Sequence, residues 1–285
     1  FGSDNPGVPS VEAAKVWRKQ GNLPNFDFFN YAGINRPVRL YTTPVSRICG
    51  LTLIPDIDDT DGILQYEAET EGEGAVHVEI FEAEGASGTI TIPDARLWWP
   101  WPGMPYLYRA VFTFGEDIYE ETFGIRTVKV EGTQFLINGK PFYFKGFGKH
   151  EDSPFHGRGL DLCLDVKDVN LIHWLHANSF RTSHYPYAEE MYQLCDRGGI
   201  VIIDETPAVG IGAGEHCDPY QTFPIREHHE AVLRDMIERD KNHPCVVMWS
   251  MGNEPDTEHF PESAYEYWHS LYEYTHTLDP QDRPV

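Results

Sequence analysis

The chain has 285 residues and carries 45 Asp and Glu against 22 Lys and Arg, a formal charge of −23. That balance disfavours nucleic acid and anionic membranes as partners, and an anionic ligand has to be met by local cations rather than by the overall field. A hydrophobic content of 41% supplies buried cores, the length accommodates two or three domains at roughly 100–200 residues each, and no apolar run approaches the roughly 18–20 residues needed to cross a bilayer.

The five cysteines, Cys49, Cys163, Cys195, Cys217 and Cys245, are odd in number and scattered. They read as buried free thiols, not as a disulfide framework. No Asn-x-Ser/Thr acceptor occurs, and the expected location is cytoplasmic. Phe1-Gly2-Ser3 lacks a signal-like character and reads as an entry in mid-protein.

Residues 1–25 are polar and interrupted by Pro6, Pro9, Gly21 and Pro24, with no element assignable. The stretch 26–36 is an aromatic cluster threaded with Asp27, Asn30 and Arg36; its simplest reading is a loop packed by its own rings. Val38-Arg39-Leu40-Tyr41-Thr42-Thr43-Pro44 alternates as a strand and stops at the proline. From 45 to 125 short alternating runs, 75–81, 88–92 and 106–112, are broken by Gly, Asp and Pro, the texture of an antiparallel sandwich. The acidic run 67–73 reads as a solvated loop, and Leu97-Trp98-Trp99-Pro100-Trp101-Pro102 as core or interface packing.

After Gly124 the pattern changes. An Asn138-Gly139 turn predicts a hairpin leading into an apolar strand over 142–148. Strands and helices then alternate: a helix face marked by Val169, Ile172, His173 and His176, a strand at 179–182, and a helical stripe of Ala188, Met191, Tyr192 and Cys195. A buried strand at 200–203, a helix through Val232, Leu233, Met236 and Ile237, a strand at 245–250 and a helix over 262–278 complete the chain. Four β/α units in succession predict a parallel sheet with right-handed crossovers.

Every strand end is polar: Lys149-His150-Glu151-Asp152, Arg181-Thr182-Ser183-His184-Tyr185, Asp204-Glu205-Thr206 and Asn253-Glu254. Delivery of ionisable groups by each strand in turn is barrel behaviour, since the carboxyl ends of barrel strands line the active site. Glu254, held against Trp249, would have its pKa raised and serve as a general acid. A Gly-rich phosphate loop and a Gly-x-Ser-x-Gly elbow are both missing from the sequence. A metal site from His150, Glu151, Asp152, His184 and Asp204 is disfavoured, because the tight pair His228-His229 points two ways on a helix. Carboxylates, imidazoles, amides and aromatics suit a sugar ring and a glycosidic bond. Glycoside hydrolysis needs two carboxyls; Glu254 is one, and either Asp204 or Glu205 is available as the second.

The stretches 26–36, 123–128, 135–147, 150–152, 181–190, 201–206 and 239–255 closely resemble the β-glucuronidases of glycoside hydrolase family 2, over nearly all of residues 26–285. Arg181-Thr182-Ser183-His184-Tyr185-Pro186-Tyr187-Ala188-Glu189-Glu190 and Lys241-Asn242-His243-Pro244 are the most specific matches. The resemblance implies the end of a jelly-roll sugar-binding domain over 1–43, an immunoglobulin-like β-sandwich over 44–125, and the first half of a (β/α)8 TIM barrel over 126–285. It implies a retaining mechanism with Glu254 as acid/base and Asn253 on the sugar 2-hydroxyl. His150 and His184 would contact the sugar, with Asp27 reaching in from the jelly roll. Arg181 would orient the nucleophile from below, with Glu205 also behind the substrate contacts.

In the family the nucleophile lies on barrel strand 7 and an Asn-x-Lys element reads the uronate carboxylate; both fall beyond Val285. Asp204 and Glu205 occupy the strand 3 position and do not replace the nucleophile. The chain is therefore expected to be a fragment, inactive alone, of a β-glucuronide hydrolase. No cofactor and no metal are expected. The expected partners are a small-molecule glucuronide and further copies of the protein, as a dimer or tetramer. The segment 209–223 is shorter than in many bacterial relatives, which implies a more open mouth. The alternatives are another family 2 specificity, such as galacturonidase or galactosidase, and a non-catalytic carbohydrate-binding protein.

Overall fold

The computed structural model describes residues 33–79 and 83–285. Asp27 and most of the aromatic cluster around it lie outside the described residues. Residues 38–44 are irregular and pair with no strand among the described residues; Val38, Leu40 and Tyr41 are exposed.

Two sheets form the sandwich. One has the order β1-β2-β5, with β1 (Arg47–Asp58), β2 (Asp61–Glu71) and β5 (Ser87–Ile92). The other has the order β4-β3-β6-β7, with β3 (Val76–Val78), β4 (Ala83–Glu84), β6 (Tyr108–Phe114) and β7 (Asp117–Phe123). Period-2 alternation sends Leu51, Leu53, Leu64, Tyr66 and Ala68 inward to meet Ala110, Phe112 and Phe114. The Tyr66 and Phe112 rings meet edge to face at 5.5 Å. The first five residues of the acidic run are not a loop: Glu67, Glu69 and Glu71 are the wet face of β2, whose other face is apolar.

The hairpin at Asn138-Gly139 is formed, with φ of 52° and 69°, the two positive values a tight hairpin turn demands. It joins β9 (Gln134–Ile137) to β10 (Lys140–Pro141), and β9 also pairs with β8 (Val128–Glu131). The apolar run after it is not itself a strand. Phe142 and Phe144 cluster with Phe135, centroids 4.9–6.4 Å apart, and β11 begins later, at Gly146–Lys149.

The half-barrel sheet is parallel, in the order β11-β12-β13-β14, with β12 (Ser179–Thr182), β13 (Val201–Glu205) and β14 (Val246–Ser250). The helices are α1 (Leu162–Trp174), α2 (Glu189–Gly198), a single turn α3 (Pro219–Thr222), α4 (Arg226–Asp240) and α5 (Pro261–Leu278). Asp161 caps α1, accepting from the Cys163 and Leu164 N–H groups at 3.1 Å. His176 is not on the α1 face; it follows the helix, exposed, at φ 55°. The α2 stripe is buried as expected, and Gly199 ends the helix at φ 69°. All five cysteines are free, but only Cys195 and Cys245 are buried; Cys49 and Cys163 are exposed.

The sandwich is bolted to the base of the barrel. Trp98 is fully buried within the barrel core, its indole N–H donating to the Asp196 carbonyl at 2.8 Å. Arg126 donates to the carbonyls of Pro244 and Val246, both at 2.8 Å, and to Gln281 Oε1 at 3.0 Å. The Asn242 amide accepts from Leu53 N–H and donates to the Leu51 carbonyl, both at 2.9 Å. Beside it His243 Nδ1 lies 2.5 Å from Asp196 Oδ2. Burial opposes its charge, but Asp196, with Asp240 and Glu121 of β7 beyond, outweighs burial and raises its pKa to about 9. The folded state thus holds a proton that the unfolded state releases above about pH 6.5. This interaction contributes fully below that pH and is lost as pH rises through about 9. His243 is expected to contribute on the order of 3 kcal/mol to the loss in urea unfolding across that window, and His243→Gln should remove that share of the slope. An unchanged pH slope in the variant would remove His243 as its source.

Candidate active site

Alternation along β13 decides which carboxylate faces where. Asp204 points outward: its Oδ1 accepts from the Tyr192 hydroxyl of α2 at 2.6 Å and from Thr182 Oγ1 at 3.1 Å. Glu205 points inward and is fully buried. Its Oε1 lies 2.5 Å from His184 Nδ1, and its Oε2 accepts from Ser250 Oγ at 2.6 Å and pairs with Arg181 Nε at 3.3 Å. Asp204 is thereby removed as a candidate second carboxyl at the mouth. Glu205 is committed to neighbours contributed by β12, β14 and the loop after β12.

That anionic hub organises the inner face. Arg181, held by Glu205, extends its Nη2 to Asn253 Oδ1 at 3.1 Å. Asn253 is buried, and its backbone is pinned on both sides, N–H to the Ala208 carbonyl at 2.8 Å and carbonyl to Gly210 N–H at 2.9 Å. His184 is buried, and its Nδ1 donates to Glu205, which sets the ring's orientation. The His150 ring stands edge-on to it, centroids 5.6 Å apart. Behind His150, the Tyr185 hydroxyl lies 3.5 Å from its Nδ1 and accepts the Glu151 N–H at 3.0 Å, and the Arg158 guanidinium covers the Tyr185 ring at 3.4 Å.

Glu254 stands at the rim, exposed, at φ 48° and followed by Pro255. Its carboxylate has no hydrogen bond or ion pair among the described residues. A non-glycine residue in the left-handed region is uncommon and tends to mark functional positions. Trp249 is not its neighbour. The indole lies on the outer face, buried under Arg283 at 4.5 Å, with its N–H donating to Asp279 Oδ2 at 2.9 Å.

The structure therefore brings together Arg181, His184, Glu205 and Asn253, with His150 beside them and Glu254 at the edge. Ser250 and Tyr185 were not singled out from sequence; stepping two residues from Met248 along β14 would have placed Ser250 on the inner face. Glu151 is committed elsewhere, accepting from Arg36 Nη2 at 3.0 Å and from Ala188 N–H at 2.5 Å. Its contact with Arg36 ties the segment that follows Asp27 to the rim. A trio of ligand-type residues, Asp196, His243 and Cys245, meets within 4.8 Å at the base. Hydrogen bonding accounts for it, since Asp196 already accepts from His243 Nδ1 and from Cys245 N–H at 3.0 Å.

Comparison with known proteins bears on the same residues. A family model described as "Glycosyl hydrolases family 2, TIM barrel domain" matches residues 128–285, and a second, "Glycosyl hydrolases family 2", matches residues 57–126. The chain is 48% identical over 279 residues to a β-glucuronidase of Paenibacillus borealis, covering 91% of this chain and 46% of that protein. It is 46% identical over 282 residues to β-glucuronidase of Sus scrofa, covering 92% and 42%. Among solved structures it resembles Faecalibacterium prausnitzii β-glucuronidase with a TM-score of 0.90 and 61% identity, over 100% of this chain and 49% of that one. Bifidobacterium dentium β-glucuronidase complexed with coumarin-3-O-glucuronide follows at 0.84 and 50%, over 100% and 50%. The chain spans about half the length of these relatives. It joins an immunoglobulin-like sandwich to the first half of a TIM barrel, and it belongs to glycosyl hydrolase family 2.

Proposed function

We propose that the protein carrying this chain hydrolyses β-D-glucuronides with retention of configuration. The observation that carries the reading is one carboxylate with no partner among the described residues, Glu254, at the rim beside a buried Asn253 that Arg181 clamps from the Glu205 hub. Glu254 protonates the leaving oxygen and then activates water. Asn253 takes the sugar 2-hydroxyl, His150 and His184 line the ring, and Asp27, outside the described residues, is assigned to the sugar by the family resemblance. Arg181 steadies the nucleophile, and Glu205 holds Arg181 and His184 in place. Retention asks for two carboxyls about 5–5.5 Å apart. With Asp204 turned outward and Glu205 committed to protein partners, the nucleophile is assigned to sequence that the longer relatives possess. Residues 1–285 alone are expected to be inactive.

The assigned domains are residues 1–43 as the end of the jelly roll, 44–125 as the sandwich and 126–285 as the half-barrel. No helix among the described residues is long and apolar enough to cross a membrane. The cytoplasmic assignment rests on the five free thiols, and the homo-oligomer on the family resemblance alone.

The deciding assay is release of p-nitrophenol from its β-glucuronide and β-galacturonide by the intact protein. Turnover of the glucuronide with little of the galacturonide is the expected result. Preference for the galacturonide keeps the mechanism and moves the specificity; turnover of neither, on properly folded protein, overturns the reading.

A further inference from the structure

Behind the strand that carries Glu205 lies a second pair of carboxyls that the proposed reaction does not use. Asp204 of β13 and Asp240 at the end of α4 are both fully buried. Asp204 Oδ1 is satisfied twice, by Tyr192 and Thr182. Its Oδ2 is buried with no donor directed at it among the described residues, and the Asp240 carboxyl is its hydrogen-bonding neighbour. Asp240 in turn receives both arms of Arg239, Nε at 2.8 Å and Nη2 at 2.6 Å. Three groups face the pair directly: Tyr192 of α2, Thr182 of β12 and Arg239 of α4. The protonated His243 lies beyond Asp240. One guanidinium can balance one carboxylate; two ionised carboxylates in contact in a dry site repel, and an orphaned acceptor is costly.

We propose that Asp204 and Asp240 share one proton, carried on Asp204 Oδ2 and donated to Asp240, and that the neutral Asp204 is the positioning residue behind Glu205. Burial first, and the Asp240 charge second, hold the Asp204 carboxyl well above the usual carboxylate range. The route to the inner face is one hydroxyl. Thr182 Oγ1 donates to Asp204 Oδ1 and accepts the Glu205 N–H at 2.9 Å. Asp204 thus sets, through Thr182, the backbone from which Glu205 holds Arg181 and His184. It touches no substrate. The positioning role rests on the hydrolase reading; the shared proton does not.

The test uses the intact protein with Asp204→Asn and Asp240→Asn. The amide of D204N can donate to Asp240 and accept from Tyr192 and Thr182, so it mimics the neutral acid. In the infrared spectrum, the C=O stretch of a protonated buried carboxylic acid is expected at neutral pH and is lost in either variant. Stability supplies the second reading. The folded state keeps a proton that the unfolded chain sheds above about pH 4, so the unmodified protein loses stability as pH rises. D204N lacks this penalty, and its folding constant relative to the unmodified protein should grow about tenfold per pH unit until the pair ionises. Absence of the acid band, or a pH-independent ratio, overturns the shared proton. For positioning, D204N keeps its glucuronide turnover, and Asp204→Ala, folded by circular dichroism, lowers kcat with KM little changed. Parental kcat in D204A would overturn that role. Neither the infrared nor the stability measurement depends on turnover, so failure of the shared proton is distinguishable from failure of the hydrolase reading.

Discussion

Glu254→Gln is expected to lower kcat on alkyl β-glucuronides by about 10²–10⁴-fold, the usual contribution of a positioned general acid. An alkoxide leaves poorly without a proton, so the loss falls on the first chemical step. A nitrophenolate leaves readily, so with the p-nitrophenyl substrate that step is largely spared and the second, which needs Glu254 as base, becomes slow. KM for the aryl substrate should then fall as the glycosyl-enzyme accumulates. Added azide, a nucleophile that needs no base, should restore aryl turnover but not alkyl turnover. Glu254 is suited to both roles because it is exposed at the rim and committed to no partner among the described residues. Equal, small losses on both substrates would assign the acid/base role to another residue.

Glu205→Ala should produce the largest loss of stability among the site residues, about 2–3 kcal/mol, below the range for a fully buried pair because Arg181 is partly exposed. Glu205 is fully buried and receives His184, Ser250 and Arg181. Removing it leaves the Arg181 charge without its counter-ion and the Ser250 hydroxyl without its acceptor. Glu205→Gln, which preserves shape and one acceptor, should cost less. Both should reduce kcat, because Arg181 is what fixes the Asn253 amide. Urea midpoints and steady-state kinetics on the same preparations check the two effects. A loss below about 1 kcal/mol for the alanine variant, in the range of an exposed ion pair, would mean the hub is open to water.

The four β/α units were legible because buried parallel strands and amphipathic helices leave strong periods: the Ala188, Met191, Tyr192, Cys195 stripe and the run 245–250 needed no tertiary information. The sandwich was harder. Glu67 to Glu71 look like a solvated loop by composition, and only pairing with β1 and β5 shows them to be the wet face of a strand. Residues 38–44 erred in the opposite sense, alternating without a partner strand among the described residues. In the site, residue type and strand-end position marked the runs that hold Arg181, His184, Glu205, Asn253 and Glu254, and the resemblance to family 2 picked Arg181, His184 and Asn253 out of them. They could not say which of two adjacent carboxyls faces inward. Asp204 and Glu205 differ by one step of a period-2 strand, and that step separates a buried proton-sharing pair from the hub of the site. Trp249 was misplaced for the same reason, since it shares a strand with Ser250 but not a face.

The Asn242 amide also protects against misassembly. Among the described residues β1 ends its sheet, so one side of it presents backbone donors and acceptors that another molecule's strand could adopt. Asn242 occupies the Leu53 N–H and the Leu51 carbonyl, and Gln281 adds a bond to the Leu53 carbonyl at 3.1 Å. Two side chains from about 190 and 230 positions further along the chain therefore stand where an intruding strand would dock. Until the half-barrel has folded and supplied them, that stretch of β1 is open to pairing between molecules. The order in which the two parts fold therefore sets how long that edge is open to another strand.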